Sequence, residues 1–230
     1  LAGAYRWTNL IHADLFDEEM ARTKEHIDFC KAAGAAYANV AEGGNSLHWD
    51  AHGTLERVEE LSDEQWERLV TALDELGLYA LRQGVRLSVH PHGGTAIETP
   101  AQLGHLFELT DPESVGYCLD TGHILYGGGD PALLTQRWAG RVSYLHLKDV
   151  RGEVLARVRA EGLSFVEAVK AGVFCTPGAG VIDFDPVIAA LREVGYSGWA
   201  VVEAEQDPAV HNPYEVSKGA RAFLRDRYGL

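Results

Sequence analysis

The segment VHPHGG, at residues 89–94, ends an apolar run with two histidines that flank a proline. Imidazole titrates near neutral pH and is a common metal ligand. A solvated strand end is the simplest explanation of such a segment. A metal or catalytic site is the alternative, and it gains support if neighbouring apolar runs end in residues of the same chemical kind.

Polar residues with suitable chemistry do end three more apolar runs. Side chains alternate between the two faces of a strand, so residues two positions apart share a face. Polar groups on buried strands need partners, and a shared divalent ion supplies them. The candidate residues are His90 and His92, Asp120 and His123, His146 and Lys148, and Glu203 and Glu205.

Imidazole and carboxylate groups together suit a divalent ion such as Mn²⁺, Co²⁺ or Zn²⁺. Taken singly, an Asp at a strand end commonly caps a helix, and a His commonly packs in the core. A salt-bridge cluster is the alternative for the whole group. Because four strand ends coincide, we predict a divalent-metal site formed by one Asp, one Glu and two His from these strand ends.

These side chains must be positioned by strands, and short apolar runs do alternate with amphipathic segments along the chain. This alternation predicts parallel strands joined by helices. The segment 150–175 is long for a loop between a strand and a helix, and is predicted to be a lid or a dimer contact. The predicted strands are 2–10, 35–41, 85–90, 115–120, 142–147 and 198–204.

Helix starts are marked by capping residues and by prolines. Capping boxes pair Ser62 with Gln65 and Ser164 with Glu167. Proline fits the first helical turn because its φ angle is already helical and that turn needs no N–H donor. Helices are predicted to begin at Thr99-Pro100, Asp130-Pro131, Asp185-Pro186 and Asn212-Pro213.

An open doubly wound sheet and a (β/α)8 barrel both fit this element order. Both architectures place functional residues at the carboxyl ends of the strands. The sequence contains no GxGxxG and no GxxxxGK[ST] motif, which disfavours a nucleotide-binding open sheet. The chain is predicted to form one domain over residues 1–230, the size of a single α/β unit.

Composition excludes several classes of partner. The formal charge of −14 argues against nucleic acid, whose phosphates need a basic face. No apolar run approaches the roughly 20 residues that span a bilayer, and no secretory signal is recognisable. Three cysteines, at 30, 118 and 175, show no CxxC spacing and predict reduced thiols in a cytoplasmic protein.

Several segments resemble the inosose dehydratase family of myo-inositol catabolism, which has the xylose-isomerase-like TIM-barrel fold. They are GYCLDTGHILYGGGDP, YLHLKDVRGEV, and the run from FCTPGAGVIDFDP to VVEAEQDPAVHNP. The resemblance covers nearly the whole chain. It implies a metal held at four strand ends, and Asp120, His146 and Glu203 match three of the ligands. His90 stands where the superfamily commonly has Glu, which leaves open whether it ligates the metal or lines the site.

The resemblance also implies a reaction, the dehydration of a 2-keto-inositol to a cyclohexane-dione-type product. His92, His123 and Lys148 match positions that contact substrate in related dehydratases, and we assign them catalytic roles. Lys148 is the expected proton donor or carbonyl electrophile, with an adjacent metal lowering the pKa of its ammonium. The expected substrate contacts are Glu42, Glu205 and Trp49, with Trp7 as a further wall for a sugar-like ring.

Dehydration removes a proton alpha to the ketone and expels the beta hydroxyl. A divalent metal stabilises the enediolate, and an acid and a base move the protons. A sugar isomerase or epimerase of the same barrel superfamily needs the same enediolate and stays open as an alternative. So does a non-catalytic remnant, whereas the acidic charge disfavours a DNA-repair endonuclease.

A full barrel needs eight strand-helix units, and the sequence predicts six strands. By the resemblance, the first two units are expected to be absent from this chain. A partner chain or the absent segment is then expected to cover the exposed edge of the first strand. We expect a homo-oligomer, a small cyclitol ketone as substrate, and Mn²⁺ or Co²⁺ before Zn²⁺. Glutathione is expected as a further cofactor only because the resemblance implies it.

Overall fold

The computed structural model describes residues 1–45 and 60–230. All six predicted strands are present in it, together with a pair of two-residue strands that was not predicted. The strands are β1 (Gly3–Thr8), β2 (Tyr37–Glu42), β3 (Arg86–Val89), β4 (Val115–Asp120), β5 (Val142–Leu147), β6 (Asp149–Val150), β7 (Phe174–Cys175) and β8 (Ala200–Val202).

Six of these strands form one parallel sheet in the order β1-β2-β3-β4-β5-β8, and β6 and β7 form a small antiparallel pair. The parallel strands follow one another across the sheet in chain order. A doubly wound sheet would reverse direction at a switch point. The sequential order confirms the barrel-type prediction and excludes the open alternative.

Helices connect the strands and cover the outer face of the sheet. Within the described residues, none of these helices has both the length and the apolar character needed to cross a bilayer. The helices are α1 (Phe16–Ala32), α2 (Asp63–Gln83), α3 (Pro100–Leu109), α4 (Thr121–Tyr126), α5 (Pro131–Trp138), α6 (Gly152–Glu161), α7 (Phe165–Lys170), α8 (Phe184–Glu193) and α9 (Pro213–Tyr228).

Helix α2 shows how the sequence specifies these elements. Ser62 and Gln65 form the predicted capping box at its start, and Gly84 ends it in the left-handed conformation. Its apolar stripe packs into the main core, with Leu69 and Leu76 almost completely buried. The helix therefore fixes the position of β3, the strand that carries the two histidines.

One predicted helix start is wrong by two residues. Helix α8 begins at Phe184, and the cap is Asp183, whose side chain accepts a hydrogen bond from the Asp185 amide. The expected cap, Asp185, instead pairs on the surface with Arg227. Proline is tolerated throughout the first helical turn, so Pro186 does not mark the first residue of the helix.

The segment 150–175 packs as a unit of its own. It contains α6, which was not predicted, the predicted α7, and the β6–β7 pair. Helix α6 buries only Val158 completely, so its apolar periodicity is too weak to be read from the sequence. The buried residues of this second apolar cluster are Tyr126, Val150, Val158, Phe165, Ala168, Val173 and Phe174.

A fully buried carboxylate joins this unit to the barrel. The side chain of Asp149 accepts hydrogen bonds from the backbone amides of Gly178, Gly180 and Ile182 at 2.9–3.1 Å, and from its neighbour Val150 at 2.8 Å. A Cβ atom on Gly180 would clash with the carbonyl of Val150. This contact explains why the PGAG segment needs glycine at that position.

The outer strands of the sheet each have a single neighbour in the described parts of the chain. Strand β1 pairs only with β2, and β8 pairs only with β5. The covering of the β1 edge, like the single-domain boundary at 1–230, stays a prediction.

Substitution of Asp149 by Asn tests the anchoring role of its carboxylate. The amide group would turn one acceptor into a donor that faces backbone N–H groups, at an expected cost of about 1–3 kcal/mol in the free energy of unfolding. Urea unfolding followed by circular dichroism measures this loss. The matched control is Asp207→Asn, since Asp207 is exposed and accepts from a single amide. Equal unfolding midpoints for both variants would contradict the assignment.

Candidate active site

The four predicted metal ligands meet at the carboxyl ends of β3, β4, β5 and β8. One ligand atom from each of His90, Asp120, His146 and Glu203 lies within 4.8 Å of the others, and we call these four residues the tetrad. Asp120 Oδ2 lies 3.5 Å from both His90 Nε2 and His146 Nδ1. Glu203 Oε2 lies 3.1 Å from His146 Nδ1.

The donor atoms of the tetrad fit a divalent cation. Asp120 uses Oδ1 to cap α4, accepting from the amides of Gly122 and His123 at 2.9 Å. That leaves Asp120 Oδ2 buried without a well-directed hydrogen bond, and Glu203 Oε2 is in the same state. Buried carboxylate oxygens normally have a partner. Two such oxygens facing two imidazoles form a set that Mn²⁺, Co²⁺ or Zn²⁺ accepts.

The protonation states also suit a cation. Burial would raise the pKa of Asp120, but Lys148 and the neighbouring histidines hold it well below its usual value. Burial also acts on Glu203, whose pKa is lowered to about 2 by His146 and Lys148. Burial lowers the pKa of His90 to about 3, so this imidazole is neutral. Both carboxylates are therefore ionised at neutral pH, and His90 has a lone pair for a ligand bond.

A second group of side chains lies beside the tetrad. One ligand atom from each of His92, His123 and Glu205 lies within 4.8 Å of the others, and the rings of the two histidines are 3.7 Å apart. Lys148 connects the two groups. Its Nζ lies 2.6 Å from Glu205 Oε2, 2.9 Å from His123 Nε2 and 3.1 Å from Glu203 Oε2.

Lys148 is held in its charged form. Burial alone would lower the pKa of its ammonium, but Asp120, Glu205 and Glu203 outweigh burial and raise it above the usual value. The carboxylates thus act in the opposite direction to the expected effect of a metal. A buried lysine in this environment donates hydrogen bonds and protons and does not accept them.

Backbone geometry marks Glu205 as a strained position. Its φ of 40° is the only positive φ of a non-glycine residue in the part of the chain that the structure describes. Such strain is costly and is concentrated at functional sites. Here it directs the carboxylate toward His92 and His123, with closest distances of 3.6 and 3.4 Å.

A cavity of about 360 Å³ gives access to both groups. Two aromatic side chains of β1 form one wall: Tyr5 meets His90 edge-on with 5.7 Å between ring centroids, and Trp7 meets His92 at 4.9 Å. Sequence analysis named Trp7 but missed Tyr5, although their i, i+2 spacing places them on one face. It also missed Asn39, which lines the same cavity.

The segment 150–175 supplies an apolar wall that packs behind the histidine pair and Lys148. Phe165 packs against His92 at 5.1 Å, and Phe174 packs against His123 at 5.1 Å and lies 4.8 Å from Lys148 Nζ. A Cβ atom on Gly93 would lie 2.7 Å from the Phe165 ring. The glycines that follow the two histidines therefore make room for this wall.

One predicted substrate contact, Glu42, does not line the cavity. Glu42 is buried at the end of β2, where its carboxylate accepts from the Leu10 amide at 2.7 Å and from Thr8 Oγ1 at 3.0 Å. These bonds join β2 to the loop after β1. Trp49 lies outside the described residues. The roles assigned to all the site residues stay predictions.

Comparison with known proteins places this geometry in a family. The family model described as xylose isomerase-like TIM barrel matches residues 2–227. The chain is 44% identical over 210 residues to the inosose dehydratase of Geobacillus kaustophilus, covering 90% of this chain and 68% of that protein. It is 43% identical over 216 residues to that of Geobacillus thermodenitrificans, covering 94% and 72%.

The chain belongs to the inosose dehydratase family. This confirms the resemblance, the barrel fold and the expectation of an enzyme. Among solved structures, this inosose dehydratase family member is similar to the IOLI protein with a bound zinc atom, with a TM-score of 0.74 and 18% identity over 98% of this chain and 75% of that one. An L-ribulose 3-epimerase gives a TM-score of 0.69 at 19% identity, covering 96% and 73%. At these identities the two structures support the fold alone.

Glu42 predicts a pH dependence of stability. Burial raises the pKa of its carboxyl from 4.5 to about 7, so the folded state favours the protonated form. Its contribution to stability is therefore complete below about pH 4.5 and is lost as pH rises through about 7. Relative to wild type, Glu42→Gln should gain stability between about pH 5 and pH 8 in urea unfolding. The exposed control Glu108→Gln should not, and identical pH profiles for both variants would refute the prediction.

The close packing of Gly122 against Lys148 predicts that a larger side chain at position 122 destabilises the protein. A Cβ atom there would lie 2.5 Å from Cγ of Lys148, so Gly122→Ala must displace the lysine stem. We expect a loss of about 1–3 kcal/mol in thermal unfolding, as for other overpacked cores. The control is Gly104→Ala, in the interior of α3 with no atom within 4 Å of the new Cβ, which should stabilise the protein by about 0.4–1 kcal/mol. Similar melting temperatures for the two variants would contradict the prediction, because they would show that the Lys148 side chain moves aside without loss of stability.

Proposed function

We propose that this protein is a divalent-metal-dependent dehydratase of a 2-keto-inositol. One observation carries the proposal. The ionised carboxylates of buried Asp120 and partly exposed Glu203 form one donor set with two imidazoles, beside a charged lysine and a second histidine pair, and the chain is 44% identical to an inosose dehydratase. Asp120 Oδ2 lies 3.5 Å from His90, His146 and Lys148 and makes no well-directed hydrogen bond, which favours a metal over a salt-bridge cluster.

The reaction removes water across two adjacent carbons. The C–H bond alpha to the ketone breaks, its electron pair forms a carbon–carbon double bond, and the beta C–O bond breaks. The released proton and hydroxide leave as water. When bound at the tetrad, a divalent ion would supply Lewis-acid polarisation of the ketone oxygen, which offsets the negative charge that develops on it.

His92 is positioned to take the alpha proton. Its Nδ1 donates to the carbonyl of Gly93 at 2.8 Å, which fixes the tautomer and leaves the lone pair on Nε2. Nε2 lies 3.6 Å from Glu205 Oε1, so the carboxylate stabilises the imidazolium that forms. His92 also lines the cavity. A histidine oriented by a carboxylate is a common form of general base.

Lys148 is the proposed proton donor. Its ammonium is kept charged by three carboxylates, so it can protonate the departing hydroxyl or stabilise the carbonyl oxygen. His123, which lies 2.9 Å from Lys148 Nζ, is kept neutral, since burial lowers its pKa to about 4. A neutral imidazole adds no second positive charge beside the ammonium.

The cavity walls suit a neutral cyclitol. Tyr5 and Trp7 provide flat aromatic surface, while Asn39 and Glu203 provide groups that bind hydroxyls. The apolar wall of Phe165 and Phe174 limits the access of water to the histidine pair, which strengthens charge interactions at the site. Mn²⁺ or Co²⁺ is proposed before Zn²⁺ because half of the donors are carboxylates. Glutathione and a homo-oligomer stay predictions.

The first test joins metal content to product analysis. The protein is stripped of metal, reloaded separately with Mn²⁺, Co²⁺ and Zn²⁺, and incubated with inosose while NMR follows the loss of water. We expect dehydration only after loading. Asp120→Asn should lose both metal and activity, while Lys148→Gln should keep the metal and lose roughly 10²–10⁴-fold in rate.

Asp130 provides a matched control. It caps α5 as Asp120 caps α4, accepting from two amides, but it lies outside the cavity. Asp130→Asn should therefore keep both metal and activity. A product isomeric with the substrate would favour the isomerase or epimerase alternative and overturn the proposal. Binding of metal without any turnover would favour the non-catalytic remnant.

A further inference from the structure

A buried thiol lies directly beneath the tetrad. Cys118 precedes Asp120 by two residues on β4, so both side chains point to the same face of the strand. Cys118 is fully buried and carries no disulfide. No step of the proposed dehydration uses it.

This thiol completes a second group of metal donors. One ligand atom from each of His90, Cys118 and His146 lies within 4.8 Å of the others. The other two cysteines are placed differently. Cys30 has one histidine neighbour, His26, at 3.9 Å on helix α1, and Cys175 lies on β7.

The two donor groups share both histidines and differ in the third ligand. The tetrad adds carboxylate oxygens, which suit harder ions such as Mn²⁺. The group with Cys118 adds sulfur, and sulfur ligands select softer ions such as Zn²⁺, Cd²⁺ and Cu⁺. Two divalent ions held by the same pair of histidines would lie close together and repel each other, so filling one group disfavours filling the other.

We infer that Cys118, His90 and His146 form a second metal site for soft cations, and that an ion bound there excludes the ion of the tetrad. The inference rests on the proposed metal centre through the two shared histidines. Soft cations then act as inhibitors that compete with Mn²⁺ for the protein and not with the substrate.

An ion would reach this second site through the cavity of about 360 Å³ described above. His90 and His146 line the cavity, and Cys118 lies behind them. Binding forms a metal–sulfur bond as the S–H bond breaks, and the proton leaves to the buffer, so no oxidant or reductant is required. His90 Nδ1 is buried without a hydrogen-bond partner.

The test uses Cd²⁺ as the probe because Cd–thiolate bonds absorb in the ultraviolet and Cd–carboxylate bonds do not. Wild-type protein titrated with Cd²⁺ should develop this charge-transfer band at one equivalent. In protein preloaded with Mn²⁺, the same titration should release free Mn²⁺, measured by electron paramagnetic resonance. Cys118→Ser should abolish the band and weaken Cd²⁺ binding by about tenfold or more, equivalent to about 1.4 kcal/mol.

Controls separate this inference from the proposed function. Cys30→Ser and Cys175→Ser should keep the band, and Asp120→Asn should keep the band while losing Mn²⁺. Calorimetric binding of Cd²⁺ without the band, or a band that persists in Cys118→Ser, would overturn the second site. Failure of the wild type to bind Mn²⁺ would instead count against the proposed dehydratase. Cys118→Ala, with the same predicted loss of the band, guards against misfolding of the serine variant.

Discussion

The site depends on one electrostatic constraint, three carboxylates that lie within 3.5 Å of a single fully buried ammonium. Asp120, Glu203 and Glu205 carry three negative charges and Lys148 one positive charge, which leaves a formal −2. Burying an uncompensated charge costs several kcal/mol. A divalent cation would balance this excess. Cys118, Asp120 and Glu203 raise the pKa of His146 in spite of its burial.

The twofold periodicity of parallel strands arranges this charge in layers. In the sheet register, Asp120 lies opposite His146, and both belong to the tetrad. Two residues later along the chain, His92, Lys148 and Glu205 form the layer nearer the strand ends. Two residues earlier on β4, Cys118 forms the deeper layer. In our proposals each layer has its own chemistry: soft metal binding, hard metal binding and proton transfer.

The same periodicity links the site to its support. Lys148 and Asp149 are consecutive and both fully buried, yet they point to opposite faces. Lys148 enters the charge cluster, while Asp149 fixes the PGAG segment through backbone amides. Strand β6 then leads into the unit that carries Phe165 and Phe174. A short stretch of backbone thus connects Lys148 to the aromatic side chains that pack against it.

The sequence by itself determined the six strands, most helix starts and the identity of the tetrad. Those features are local: alternation fixes a strand, a cap fixes a helix start, and a polar residue after an apolar run lies at a strand end. Helix α4 was not predicted, because it has only six residues and because Asp120, which caps it, was interpreted only as a metal ligand. Helix α6 was not predicted, because its one buried residue, Val158, gives no periodic pattern of apolar residues.

Tertiary structure alone decided what each polar side chain faces. Glu42 and Glu203 are both glutamates at strand ends, but Glu42 is occupied by Thr8 and Leu10, while Glu203 faces His146. The same holds for the charge state of Lys148 and for the aromatic walls. Contacts between residues far apart in the chain decide how far each polar side chain is removed from water and which partner it meets. These long-range contacts leave no signature in local sequence spacing.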